Sequence, residues 1–340
     1  MLLLDLDAER ASAVASAHGG GKAEARAADA RDAGTLAAEL AGVDVLINAA
    51  SYRINLDAMQ ACLTAGCHYL DLGGLYWMTG RQLALDQEFR EAGLLALLGI
   101  GSSPGKTNVM AMRGVRELGG SANSIEVAAA GRDPRASGGF SPPYAVTTLI
   151  DELTLAPVVL RDGRPVEIEP MTDGGTLDYG PPIGQAATIY TLHSELATFG
   201  ESFGCREASF RLSLAPALLS RLRELVSATT EEVERATREA TSPSAETVSV
   251  HRVIAHGAGG STVVVRAISR PHFGLGGSVV STAAPAAAAV RLLARGQLTA
   301  TGALPPERCI DPELLFAELK TRGCSFDGQA ATRKRGGKQL

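Results

Sequence analysis

Three short stretches carry residue types that could do chemistry, and each closes an apolar run. They are Asn48-Ala49-Ala50 after VLIN, Asp71-Leu72-Gly73-Gly74 after YLDL, and Gly101-Ser102-Ser103-Pro104-Gly105 after LLALLGIG. Helix-length segments separate the runs, which is the pattern of a parallel α/β sheet. In such sheets ligands sit beyond the carboxyl ends of the strands, so the three stretches form one rim. On that rim Asp71 could serve as a base or as the cap of the next helix. The helix beginning near Lys106 offers free amides to an anion, with Thr107 and Asn108 in its first turn, or the segment is a hinge. Far along the chain, His193-Ser194-Glu195 joins an imidazole that titrates near neutrality to a carboxylate, an acid/base pair or a structural turn. Tyr76 reaches the rim or packs beneath it.

The elements that position these groups follow from pattern. Met1–Leu4 reads as a buried strand ending at Asp5 and Asp7, and Ala8–His18 as a helix stopped by three glycines. A weak strand ends at Asp29, and a second helix precedes the strand at Asp44. This is a dinucleotide-binding pattern entered one unit late. Asp5 fits the acid that bonds ribose hydroxyls about 20 residues after a glycine fingerprint, but the fingerprint itself is absent. The expectation is therefore an N-terminally truncated Rossmann-like sheet, with a βα unit of roughly 30 residues preceding Met1 and dinucleotide binding weakened without it.

After Ser121 the texture changes to alternating strands and a hairpin signal at Asp162-Gly163, the mark of an α+β insertion. Residues 1–120 plus 278–327 are expected to form the dinucleotide-binding domain and residues 121–277 an α+β substrate and dimerisation domain. Residues 328–340 are expected to be a disordered tail. The helix 215–240 reads as continuous, and the alanine-rich run from Thr282 as a tightly packed helix.

Composition narrows the function classes. The 340-residue chain is 45% hydrophobic and 20% charged with a formal net charge of −5, which describes a globular protein and argues against nucleic acid as a partner. Five scattered cysteines fit a reducing cytoplasm, and Cys62 and Cys67 lack further ligands for a metal. No apolar run approaches ~18 residues, so no membrane span is expected. His251 and His256 read as ordinary strand residues.

The motifs resemble the saccharopine dehydrogenase family, which includes saccharopine reductases and lysine 6-dehydrogenases. The residues that carry the likeness are Asn48-Ala49-Ala50, His68-Tyr69-Leu70-Asp71-Leu72-Gly73-Gly74, Ser103-Pro104-Gly105 with Thr107-Asn108, His193-Ser194-Glu195 and Leu304-Pro305-Pro306-Glu307. The resemblance implies a Rossmann domain interrupted by a substrate domain. It also implies hydride transfer between NAD, with NADP as the alternative, and a carbon bearing an amino group of a substrate such as lysine or saccharopine. Asp71, His193 and Tyr76 are then the catalytic candidates. Asp5, Asp29, Asn48, Ala49, Ala50, Asp71, Gly73 and Ser102 are the cofactor candidates. Ser103, Pro104, Gly105, Thr107, Asn108 and Glu195 are the substrate candidates, with no metal. The expected assembly is a cytoplasmic homodimer. The competing reading is a family remnant that binds or regulates without catalysis, and a further one is the family's carboxynorspermidine branch.

Overall fold

In the computed structural model, which describes residues 1–135 and 139–331, parallel strands come first and a large mixed sheet follows. The first part runs β1 (Leu2–Asp5), α1 (Ala8–His18), β2 (Glu24–Ala27), α2 (Ala33–Glu39), β3 (Val45–Asn48), α3 (Asn55–Ala65), β4 (His68–Asp71), α4 (Leu75–Leu83), α5 (Asp86–Glu91), β5 (Leu95–Leu97) and α6 (Lys106–Glu117). The second runs β6 (Ser124–Arg132), α7 (Val146–Thr154), β7 (Val158–Arg161), β8 (Arg164–Glu167), β9 (Asp173–Asp178), β10 (Gln185–Tyr190), α8 (Phe199–Phe203), β11 (Glu207–Ser213), α9 (Pro216–Val226), α10 (Thr230–Glu239), β12 (Val248–His256) and β13 (Thr262–Ser269). The chain then continues through α11 (Gly277–Ala294), β14 (Gly302–Leu304), α12 (Pro306–Cys309), α13 (Pro312–Lys320) and β15 (Cys324–Ala331).

The parallel strands form two sheets, β1-β2 and β14-β5-β4-β3. β1 and β3 do not pair, so the break lies where the sequence pattern expects a strand. The two pieces share one core, in which Leu4, Leu36 and Leu40 pack with Met59, Cys62 and Tyr69. The chain returns late to the parallel sheet, with β14 in register against β5. The segment just beyond does not stay there. β15 pairs antiparallel with β13 from Cys324 to Ala331, so residues 324–327 belong to the large sheet and residues 328–331 are strand rather than tail. Residues 332–340 lie outside the described residues.

The large sheet is ordered β15-β13-β12-β6-β11-β10-β9, and β6 and β11 are its parallel pair. The predicted hairpin β7–β8 turns at Asp162 and Gly163, both with positive φ, which the Asp-Gly pair suits. The expected long helix is two: Thr229 caps α10 in a box with Glu232, and α9 ends before it. Helix α11 is long and apolar enough to cross a membrane by length and composition, contrary to the sequence expectation, yet half of it is buried. Its alanines face the same core as β12, β13 and α13.

One buried carboxylate sets the rim. Asp71 is 1% exposed and its oxygens accept from the amides of Gly73 (2.9 Å) and Gly99 (2.7 Å), Gln82 Nε2 (2.6 Å), Tyr69 Oη (3.0 Å) and Asn55 Nδ2 (3.2 Å). Those donors tie the end of β4 to the turns after β4 and β5 and to helices α3 and α4. Burial pushes the Asp71 pKa up, while Gln82, Gly99, Tyr69 and Gly73 oppose that shift. An amide in its place would turn a donor toward Gln82 and Tyr69. Asp71→Asn is therefore expected to lower the unfolding free energy by about 3 kcal/mol, read from urea denaturation. A loss below about 0.5 kcal/mol, the size of an ordinary surface substitution, would contradict this placement.

Candidate functional site

The rim opens onto a cavity of about 800 Å³ between the parallel strand ends and the large sheet. That is within the ~300–1,000 Å³ typical of small-molecule sites. One wall is Ala49, Ala50, Leu72, Gly73 and Ser102–Pro104; the floor is β6, β11 and β12; α7, α9 and the start of α11 close the sides. Backbone shape explains the small residues. Gly73 has φ of 128°, and a Cβ there would lie 2.9 Å from Pro104. Gly105 has φ of 118°, and a Cβ would lie 2.4 Å from the amide nitrogen of Gly101. Either substitution would push the loop after β5 away from β4.

Across the cavity stands a buried ionic cluster. His193, in the stretch after β10, stacks on Phe210 of β11 with ring centroids 3.4 Å apart. Its Nδ1 lies 3.3 Å from Glu195 Oε2, and its Nε2 lies 3.8 Å from Glu152 Oε1 of α7 with no hydrogen-bond partner. Glu152 Oε2 accepts from Tyr144 Oη at 2.7 Å, so Oε1 is left for a ligand. Ser103 Oγ (2.6 Å) and Thr107 Oγ1 (2.8 Å) both donate to Glu195 Oε1, which locks the loop after β5 to the second part of the chain. Burial opposes a charge on His193, but Glu195 and then Glu152 outweigh it and raise its pKa to about 9. Burial likewise opposes charge on Glu195, yet its pKa is lowered, first by His193 and then by Ser103.

The sequence-predicted residues sort into three places. Ala49, Ala50, Gly73, Ser102, Ser103, Pro104 and His193 line the cavity together. Asn48, Asp71, Gly105, Thr107, Asn108 and Glu195 stand behind its wall. Asn48 holds Asn55 and the amide of Ala50, and Asn108 caps Gly105 and bonds Glu307. Asp71, cast as catalytic, has its oxygens taken up by the rim. Tyr76, the other catalytic candidate, is also outside the lining, packed with Leu75, Val158 and Leu192. Its neighbour in that cluster, Tyr52, reaches the cavity instead, its hydroxyl donating to Asp151 Oδ2 at 2.8 Å. Lys106 turns away from the rim altogether: it is fully buried and donates to Ser269 and Ser281, and burial lowers its pKa to about 8. Asp5 sits exposed at the end of β1 and Asp29 half-buried just beyond β2, where Arg31 lowers the pKa of Asp29 to about 2.

Sequence reasoning missed Glu152, Tyr144, Phe210, His251, Arg132 and Arg221, all in the lining. Glu152 sits in an ordinary amphipathic helix, and nothing in its spacing marks it. His251 and Arg132 depend on which face of a strand is buried, which only the sheet decides.

Residues 1–97 match the family described as Saccharopine dehydrogenase NADP binding domain. Carboxyaminopropylagmatine dehydrogenase from Synechocystis is 29% identical over 193 residues, 54% of this chain and 48% of that protein. Carboxynorspermidine synthase from Vibrio alginolyticus is 35% identical over 118 residues, 31% of this chain and 28% of that one. The chain thus spans about half the length of the first relative and under a third of the second in these matches. Among solved structures, saccharopine dehydrogenase (L-Glu forming) from Saccharomyces cerevisiae superposes with a TM-score of 0.68 over 97% of this chain and 94% of that one, at 13% identity. Homospermidine synthase from Legionella pneumophila, in complex with NAD, gives 0.67 over 100% and 88% at 12% identity, and both likenesses establish the fold. Residues 1–97 are thus similar to the NADP-binding domain of saccharopine dehydrogenases, the family that the motifs resemble, and the chain as a whole shares the fold of saccharopine dehydrogenase.

The residues present fit the nicotinamide end of such a cofactor. Ala49, Ala50 and Gly73 leave room for a flat ring at the strand ends, beside polar Ser102 and Ser103. Among the described residues, no glycine-rich turn adjoins β1 or β3 to cradle a pyrophosphate.

The cluster makes a pH prediction. With a folded pKa of about 9 against 6.5 unfolded, charged His193 contributes on the order of 3 kcal/mol. That contribution is fully present below about pH 6.5 and is lost as pH rises through about 9. Urea midpoints are expected to fall between pH 7 and 9.5, and His193→Gln to flatten the fall. A wild-type midpoint unchanged over that range would contradict the charged state.

Proposed function

We propose that this chain is an NAD(P)-dependent oxidoreductase acting on the CH–NH group of an amine that carries an amino-acid carboxylate. Lysine and saccharopine belong to that class, and so do carboxylated polyamines of the kind named by the two sequence relatives. One observation carries the reading: a buried carboxylate–imidazole pair, Glu152 and His193, shares a cavity with strand ends reduced to Ala49, Ala50 and Gly73.

The nicotinamide, when bound, supplies the hydride acceptor or donor. The chain's own residues do the rest. Glu152 Oε1 attracts the substrate's cationic nitrogen into a site where burial strengthens that attraction. His193, protonated at neutral pH, has its Nε2 proton unpaired and can give it to a departing or developing basic centre. Arg132 and Arg221 in the lining supply positive charge for a carboxylate. Phe210 beneath His193 fixes the plane of the imidazole.

The test is a spectrophotometric assay with NAD⁺ and NADP⁺ against saccharopine, lysine and carboxynorspermidine, each of which must give its hydride to the oxidised cofactor. Turnover of at least one is expected, and Glu152→Gln should lower kcat/KM by about 100-fold, the typical share of a positioned charged group. Dinucleotide binding with no turnover of any of them would favour the non-catalytic binding protein.

A further inference from the structure

The cavity floor holds a polar group that this chemistry leaves unused. Strands β11, β6 and β12 lie side by side, and their register places Leu212, Ala129 and His251 in one row. Alternate residues of β12 take opposite faces: Val253 and Ala255 join the main core, whereas Val250 packs with Tyr179 behind the sheet. His251 therefore shares a sheet face with Ala129, and both residues line the cavity. The imidazole is 4% exposed, and its Nδ1 is buried without a hydrogen-bond partner. Lys106 does not supply one: its amine bonds Ser269 and Ser281. An unsatisfied buried nitrogen costs about 1–3 kcal/mol, and a cavity wall is a place where a ligand can remove that cost.

We propose that His251 is a substrate-binding residue whose imidazole accepts a hydrogen bond from the amine N–H of the substrate. The inference rests on the CH–NH reading and names the group that receives that nitrogen. The surroundings support it. Burial first, then the charges of Lys106 and His193, push the His251 pKa well below 6.5, so the ring stays neutral and keeps a lone pair. Those two are the charged groups that act on it, one from α6 and one from the stretch after β10. Ala129 and Ala267 flank it on the neighbouring strands, and α11 adds only the hydroxyls of Ser278 and Thr282 to this wall. His193 is the opposite case: an imidazolium donates from both nitrogens and accepts from none. One cavity thus holds a donor-only ring and a ring that can accept. Glu152 supplies the charge that draws the nitrogen in, and neutral His251 supplies an acceptor for its N–H.

The full-length chain with nitrogen-15-labelled histidine tests this at pH 7, using saccharopine and norspermidine as amine probes and glutarate as a carboxylate without an amine. Both amines are expected to move the His251 ring-nitrogen signals, and glutarate to leave them in place. His251→Phe should weaken saccharopine binding about tenfold, the equivalent of one hydrogen bond. His251→Gln, which retains an acceptor oxygen, should recover part of that loss, with thermal melts of both variants checking the fold. His251 signals that ignore both amines, or unchanged binding by His251→Phe, would overturn the proposal. Amine-induced shifts without turnover would uphold His251 and sink the oxidoreductase reading; turnover with silent His251 signals would do the reverse.

Discussion

The carboxylate of Asp71 is the constraint on which the rest of the site depends. It converts the end of a buried strand into a hub, gathering two backbone amides and three side chains from separate elements. A buried charge is tolerable only when its lone pairs are filled, and here they are filled by the very turns that shape the cavity wall. Gly73 and Gly99 are drawn inward by their amides, and Pro104 closes against both of them. The wall there is built from small residues packed against Pro104.

The second constraint spans the two parts of the chain. Glu195 takes hydroxyls from Ser103 and Thr107 on one side and His193 on the other. Glu307 does a parallel job one layer back, accepting from Asn108, Thr198 and Ser202. Two buried carboxylates thus bind α6 and its preceding loop to the turn after β10. The imidazole of His193 is held at a set position relative to the strand ends because both are bonded to the same glutamate. This is the kind of support a reactive geometry needs, since the orienting bonds are made before any ligand arrives.

Much of this was legible from residue order. The strand ends declared themselves because an apolar run closing in Asn, Asp-x-Gly-Gly or Gly-Ser-Ser-Pro-Gly has few other readings. The direction of Asp71 was not legible: the same residues read as a catalytic base until Tyr69, Gln82 and Asn55 are seen to converge on it. Strand β9, with the sequence DGGTLD, lacks apolar alternation and forms on the edge by pairing with β10. The end of β15 gave no strand signal for a related reason, since Gly328 and the residues after it are held by the edge of β13 rather than by their own propensity. His251 and Glu152 were hidden because burial in a mixed sheet is a tertiary property, and a lone histidine between valines looks the same on either face.

The central claim is that a nicotinamide ring and an amine meet in the cavity between the strand ends and the large sheet. A crystal structure of the full chain with NADPH and saccharopine tests it most directly. The expected result is a nicotinamide ring against Ala49, Ala50 and Gly73, with the substrate nitrogen between Glu152 and His251. A nicotinamide ring outside the cavity, or a substrate seated away from those two side chains, would contradict it.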